Sequence, residues 1–181
     1  ILMIQGLVNS FGVAVMAAFT AAVKIDSFAY MPAQEFGNAF SLYISQNYGA
    51  GKMDRVKKGA ARAMAISMAF CLAVSVLVFG FAKYLMLLFV SPSETEIIQI
   101  GVGYLRVEGA FYCGIGILFL LYAFYRGVNR PEMSLILTII SLGARVLLAY
   151  LLAPMPSVGV QGIWWAIPIG WFLADAAGIA Y

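Results

Sequence analysis

The chain contains several apolar runs longer than about 18 residues, the length that a helix needs to cross a bilayer. Charged residues make up only 10% of the sequence, whereas they are about a quarter of a typical soluble domain. The core of a water-soluble protein of this length cannot bury the apolar side chains of a sequence that is 64% hydrophobic. Apolar and polar residues do not alternate with period two, so the runs predict helices and not barrel strands. The predicted fold class is all-α, a polytopic membrane protein.

Glycines, prolines and charged residues divide the chain into six predicted transmembrane helices. Their ranges are about 1–23, 27–48, 54–90, 95–125, 132–152 and 157–181. The chain starts with Ile1, without a basic leader, and stops within an apolar run at Tyr181. These ends predict that residues 1–181 are a piece of a longer protein.

Basic residues are concentrated in the connection after the second span, which begins at the turn 49–51. The five basic residues of this connection are Lys52, Arg55, Lys57, Lys58 and Arg62. Together with Arg126 and Arg130 after the fourth span, they outnumber the basic residues of the other three connections by seven to two. By the positive-inside rule these two connections are cytoplasmic, so the first span is predicted to run from inside to outside.

Polar residues inside three of the spans recur at steps of three and four, which places them on one helix face. The second span has Gln34, Asn38, Ser41 and Ser45, and the fifth has Ser134, Thr138, Ser141 and Arg145. The first span has Gln5, Asn9, Met16 and Thr20 along a similar line, with a step of seven before the apolar Met16. Such residues commonly form hydrogen bonds between neighbouring helices. Three matching stripes are equally consistent with the wall of a polar cavity.

Five ionisable residues lie within the predicted spans, where a charge costs at least about 2.5 kcal/mol. They are Glu35, Arg106, Glu108, Arg145 and Asp175. One interpretation is a structural network of buried charges that includes Arg106 and Arg145. The other is that Glu108 or Glu35 exchanges its partner for a proton, a metal ion or a cationic substrate. Asp175 lies closer to the cytoplasmic end and is interpreted as an interface residue.

The residue inventory gives no sign of an enzyme. The sequence contains no histidine, which excludes histidine-based metal sites and the Ser-His or Cys-His catalytic pairs. The phosphate-binding and dinucleotide-binding glycine motifs are absent. Cys71 and Cys113 fall within apolar runs and are interpreted as buried thiols. We therefore predict no catalytic residue, no bound metal, no cofactor and no nucleic-acid partner.

Two neighbouring segments resemble the multidrug and toxic compound extrusion (MATE) family of transporters. They are residues 32–39 (PAQEFGNA) and residues 45–59 (SQNYGAGKMDRVKKG). Shorter matches occur in the same order along the chain, at 8–12 (VNSFG), 104–106 (YLR), 126–127 (RG) and 145–146 (RV). The resemblance implies one six-helix lobe, the C-terminal one, of a twelve-helix transporter whose two lobes face a central cavity.

The resemblance also implies a function. Family members export organic cations or drugs by alternating access, in exchange for protons or sodium, so the energy source is an ion gradient. The implied partners are small organic cations or drugs, the lipid bilayer and an N-terminal lobe of the same protein. The implied location is the plasma (inner) membrane of a prokaryote. Relatives that bind sodium in this lobe have acids in its first and fourth helices, and here only Glu108 matches.

These observations lead to a set of expected site residues. The residues expected to line the cavity are Asn9, Gln34, Asn38, Ser41 and Tyr122. Glu108 and Glu35 are the candidates for ion coupling. Two other functions stay open. A lipid-linked glycan flippase of the same superfold would need a strongly cationic cavity, and a membrane scaffold would use its polar stripes only to hold partners.

Overall fold

The computed structural model describes residues 2–156 and 158–181, and within these ranges the chain folds into seven helices and no strand. The helices are α1 (Leu2–Asn9), α2 (Val13–Gly49), α3 (Met53–Leu87), α4 (Thr95–Ala110), α5 (Tyr112–Gly127), α6 (Pro131–Leu152) and α7 (Val160–Ala180). The expected starts of the first and sixth spans, at Ile1 and Ser157, lie outside the described residues. The prediction of an all-helical membrane protein is confirmed.

The predicted boundary between the first two spans is wrong. The chain stays helical through Lys24 and Asp26, and the break lies instead at residues 10–12. Gly12 has φ 106°, a conformation that glycine adopts easily and other residues rarely do. The two charged residues do not end α2 because Asp26 is buried against the bundle. A pair of charges was therefore mistaken for a connection.

The predicted fourth span is a bent pair of helices. α4 and α5 are broken at Phe111 and meet at an angle of 53°. The ring of Phe111 packs against Trp165 and Phe172 of α7, with ring centroids 5.5 and 5.7 Å away. This bend brings the last turn of α4 and the first turn of α5 to the same level of the bundle.

Within the part of the chain that the structure describes, five spans are found where six were predicted. Four single helices are long and apolar enough to cross a membrane, and the bent pair makes a fifth span. α1 has 8 residues, and so few residues cover only about 12 Å of a hydrocarbon core about 30 Å thick. α1 therefore accounts for the sixth expected span only in part.

α5 occupies the centre of the bundle and packs against α2, α3, α6 and α7. The main core continues across the bundle through an aromatic cluster, in which Trp164 stacks on Phe19 and meets Tyr104 edge-on. A second, smaller core joins the ends of α2, α3 and α5 nearest the basic connection. Its buried residues are Phe40, Ile44, Val56, Ala63, Leu120 and Ala123. Large apolar side chains that remain exposed, such as Val76 of α3, suit contact with lipid.

α6 and α7 approach closely at Gly170. A Cβ atom at this position would lie 2.7 Å from the carbonyl oxygen of Ser141, a backbone atom that cannot move aside on its own. Gly143 of α6 has open space instead, with nothing within 4 Å of an added Cβ. The contact between α6 and α7 therefore depends on glycine at the first position and not at the second.

We expect Gly170→Ala to lower the free energy of unfolding by about 1–3 kcal/mol, because the added methyl group forces the two helices apart. Gly143→Ala is the matched control and should leave stability unchanged or slightly raised, since alanine favours the helix. Thermal unfolding of the detergent-solubilised variants measures both effects. Equal melting temperatures for the two variants would contradict this account of the α6–α7 contact.

Candidate functional site

A cavity of about 600 Å³ opens between α2, α4, α5, α6 and α7, with α1 at its edge. Most of its wall is apolar, and a few polar and charged side chains project into it. Two further hollows, of about 520 and 330 Å³, continue from it towards the basic connection. The first two share Gln34 and Tyr122, and the second and third share Asn38 and Arg126. The three form one trough along the bundle, from the α4–α5 bend to the end of α5.

Two of the predicted polar stripes face this trough. Gln34, Asn38, Ser41 and Ser45 of α2 lie along one wall, and Ser134, Thr138, Ser141 and Arg145 of α6 lie along another. The helical repeat puts each set on one side of its helix, and the packing of α2 and α6 around α5 turns both sides inwards. This placement favours a cavity wall over simple interhelical hydrogen bonds.

Four of the five expected cavity residues line the trough. Tyr122 and Gln34 lie in its central part, whereas Asn38 and Ser41 lie nearer the basic connection. The fifth, Asn9, is exposed at the end of α1 and is not among the lining residues. The break at residues 10–12 removes Asn9 from the helical stripe to which it was assigned.

The polar end of the trough contains a short chain of hydrogen bonds. Arg126 Nη2 donates to Asn38 Oδ1 over 3.1 Å, and Asn38 Nδ2 donates to Glu35 Oε2 over 3.4 Å. Glu35 itself is exposed and outside the trough lining. The structure therefore does not bring the two ion-coupling candidates together, because Glu35 lies near the end of the trough and Glu108 lines the central cavity.

Glu108 is 1% exposed and sits in the last turn of α4, just before the bend. Its Oε1 atom has no hydrogen-bond partner among the residues that the structure describes. Asp26 of α2 also lines the cavity. It is 3% exposed and accepts a hydrogen bond from the hydroxyl of Tyr112. The α4–α5 bend thus brings Glu108 and Tyr112, the hydrogen-bond donor to Asp26, to one level of the bundle.

Asp26 is the residue that sequence reasoning missed. It was assigned to a connection, whereas it lines the cavity together with Glu108. A signal was available, because Asp26, Tyr30, Gln34 and Asn38 follow one another at steps of four and belong to one helix face. Extending the polar stripe of the second span towards the N-terminus would have identified it.

The basic residues of the expected charge network are separated. Arg145 is half-buried and lines the cavity, with its guanidinium carbon 6.0 Å from the centre of the Trp171 ring. Its Nε atom has no hydrogen-bond partner within the described ranges. Arg106 is exposed and lies over Phe79 at 5.5 Å, outside the cavity lining. Residues two apart on a helix do not share a face, so Arg106 points away from Glu108.

Lys24 of α2 also lines the cavity and is exposed. Asp175 of α7, expected at the membrane interface, is instead 4% exposed, and neither of its carboxylate oxygens finds a partner in the described part of the chain. Acids in apolar surroundings are costly, and in membrane proteins they commonly mark a path for ions or substrate. Asp175 is not among the residues that line the cavity. The cavity itself combines an apolar wall with two buried carboxylates, those of Glu108 and Asp26, and two basic groups, those of Lys24 and Arg145.

We expect Tyr112→Phe to lower the free energy of unfolding by about 1–3 kcal/mol, since the buried carboxylate of Asp26 then loses its hydrogen-bond donor. Tyr84→Phe removes a hydroxyl from an exposed tyrosine of α3 and serves as the control. In an Asp26→Leu background, where residue 26 has no acceptor, the effect of Tyr112→Phe should shrink, and a double-mutant cycle of thermal unfolding measures this coupling. A full effect in that background would show that the hydroxyl acts elsewhere.

Comparison with known proteins gives consistent matches over this chain. The MatE family profile matches residues 2–151. The probable multidrug resistance protein YpnP of Bacillus subtilis is 30% identical over 180 residues, which are 98% of this chain and 39% of YpnP. An FAD transporter of Shewanella oneidensis is 28% identical over 160 residues, or 85% of this chain and 33% of that protein.

A solved structure of a transporter of the MOP superfamily from Pyrococcus furiosus superimposes on the chain with a TM-score of 0.92. The two are 25% identical, and the match covers 99% of this chain and 40% of the solved one. The chain therefore spans 33–40% of the length of these relatives.

Proposed function

The chain belongs to the MatE family, and from this we propose that it forms the C-terminal lobe of a multidrug transporter in the cell membrane of a prokaryote. The transporter exports organic cations or drugs in exchange for protons or sodium. The relatives are more than twice as long as this chain, which supports a second, N-terminal lobe that faces the trough. The open side of the trough, along α2 and α6, is where that lobe would complete the cavity.

The observation that carries the proposal is the pair of buried carboxylates, Glu108 and Asp26, in the wall of the central cavity. A buried carboxylate needs a compensating group, and a proton, a sodium ion or the cationic group of a drug can each supply it. Because these occupants cannot all be present at once, binding of one displaces another. Competition for the same acids is the coupling step of an exchanger.

In the proposed cycle the acids face the cytoplasm when they receive the drug and face outwards when they receive the ion. Glu108 is the principal coupling residue, because one of its oxygens is free among the described residues. Asp26 is the second acid, and the Tyr112 hydroxyl fixes its orientation. The α4–α5 bend next to these groups is a hinge through which ion binding can change the angle between the two halves of the span.

The rest of the trough suits flat apolar molecules that carry few polar groups. Phe119 and Tyr30 form part of the wall, with ring centroids 5.8 Å apart. Gln34, Asn38 and Tyr122 offer hydrogen bonds along the path towards the cytoplasmic side. An apolar wall with a few polar groups binds many ring-shaped molecules without demanding one exact shape.

A second candidate function is transport of a substrate that carries phosphate groups. The observation in its favour is that Lys24, Arg126 and Arg145 all line the trough. Such a substrate would be a lipid-linked glycan or a dinucleotide of the kind that the name of the Shewanella relative states. Two acids, Glu108 and Asp26, share the central cavity with Lys24 and Arg145, which is why we place cation export first.

We expect Glu108→Gln in the complete transporter to reduce ion-driven efflux of a fluorescent organic cation to background. The neutral amide has no negative charge with which to bind the coupling ion or a cationic drug. Glu35→Gln is the matched control and should retain efflux, since Glu35 lies outside the trough lining. The measurement is dye efflux from proteoliposomes under an imposed proton gradient and then a sodium gradient, with equal amounts of protein.

The same assay separates the alternatives. Loss of efflux in Glu35→Gln with retention in Glu108→Gln would assign coupling to Glu35. No dye movement under either gradient, together with transport of a phosphate-bearing substrate that Arg145→Gln abolishes, would favour the second candidate. Absence of any flux from well-folded protein would leave a scaffold role.

A further inference from the structure

α3 is longer than a bilayer requires. Its 35 residues correspond to a length of about 52 Å, whereas the hydrocarbon core is about 30 Å thick. The excess of about 20 Å is enough for the first turns of α3, which contain the basic residues, to extend into the region of the lipid headgroups. By the positive-inside rule this end of the helix is cytoplasmic.

Three of the basic residues of α3 share one face. Arg55, Lys58 and Arg62 fall within an arc of about 60° on a helical projection, and all three are exposed. Lys57 lies about 200° away from Arg55 and faces a different direction. α3 has one acid, Asp54, which lies in its first turn four residues before Lys58, and residues 55–93 contain no further Asp or Glu. The three basic residues therefore outnumber the acid of this helix and leave a net positive charge.

The same face continues into the membrane as a stripe of small or apolar residues. Ile66, Ala69, Ala73 and Val76 follow Arg62 at steps of three and four, and all are exposed. The opposite side of α3 is the one that packs into the bundle, through residues such as Val56, Ala63 and Cys71. One continuous face therefore has basic groups at headgroup level and an apolar surface below them.

The basic end of α3 is held rigidly. Val56 and Ala63 belong to the second core, and the Tyr43 hydroxyl of α2 donates a hydrogen bond to the carbonyl oxygen of Arg55 over 3.2 Å. The ring of Tyr43 also lies against Gly59, where any side chain would collide with it. The three basic side chains are thus presented by an anchored helix and not by a loose loop.

We propose that this face of α3 binds an anionic phospholipid of the inner leaflet, with its phosphate on Arg55, Lys58 and Arg62 and an acyl chain along the stripe from Ile66 to Val76. Clusters of basic residues next to a membrane-spanning helix attract anionic headgroups by about 1 kcal/mol for each residue. Charge complementarity selects the headgroup, and the exposed apolar stripe selects a lipid over a soluble phosphate. The basic residues thereby have a role beyond setting the topology.

The test compares two double variants of the complete protein that remove the same amount of charge from the same segment. Arg55→Gln with Arg62→Gln removes charge from the proposed face, and Lys52→Gln with Lys57→Gln removes it from elsewhere. Purified protein in neutral detergent is titrated with dioleoyl phosphatidylglycerol, with dioleoyl phosphatidylcholine and with glycerol 3-phosphate, and binding is followed by thermal stabilisation.

We expect phosphatidylglycerol to stabilise the wild type and the Lys52/Lys57 variant with similar affinity. The Arg55/Arg62 variant should bind it about 30-fold more weakly, which corresponds to about 1 kcal/mol for each of two charges. Phosphatidylcholine and glycerol 3-phosphate should give little stabilisation, since one lacks net charge and the other lacks acyl chains.

Equal weakening in the two double variants would overturn the proposal, because it would show that only the number of charges matters. Equal stabilisation by phosphatidylcholine or by glycerol 3-phosphate would overturn it as well. So would cross-linking between two copies through Ala73→Cys in anionic nanodiscs, because it would show that a second protein chain covers this face.

Discussion

The buried acids Glu108 and Asp26 are the constraint on which the functional account depends. An all-apolar bundle of these helices would be easier to bury in a membrane, yet two carboxylates lie in the cavity wall at 1% and 3% exposure. Their position follows from the backbone, because the α4–α5 bend brings Glu108 and Tyr112 to the level of Asp26. Phe111 lies at this bend, and its ring packs against Trp165 and Phe172 of α7.

Much of the fold could be predicted from composition and periodicity. The apolar runs gave the membrane helices, and the ends of α3 and α6 lie within a few residues of the predicted ones. The polar stripes of α2 and α6 were found from their spacing alone, because a helix repeats every 3.6 residues whatever its surroundings. The family resemblance, drawn from the segment around residues 45–59, is confirmed by the profile match.

Tertiary packing explains what the sequence did not reveal. Lys24 and Asp26 look like a connection when only local charge is considered, but burial of Asp26 beside Tyr112 lets the helix continue. Arg106 was assigned to a network of buried charges because it lies within a predicted span. Position along a span does not specify direction around the helix, and the structure points Arg106 outwards over Phe79.

Competition between ion and drug for the two buried acids is the central claim, and equilibrium binding tests it without any transport step. Affinity of the complete transporter for a fluorescent organic cation would be measured by titration at several proton and sodium concentrations. The account predicts that apparent affinity falls as the concentration of the coupling ion rises, and that this dependence disappears when Glu108 and Asp26 are both replaced by their amides. Affinity that stays constant across all ion concentrations in the wild type would contradict it.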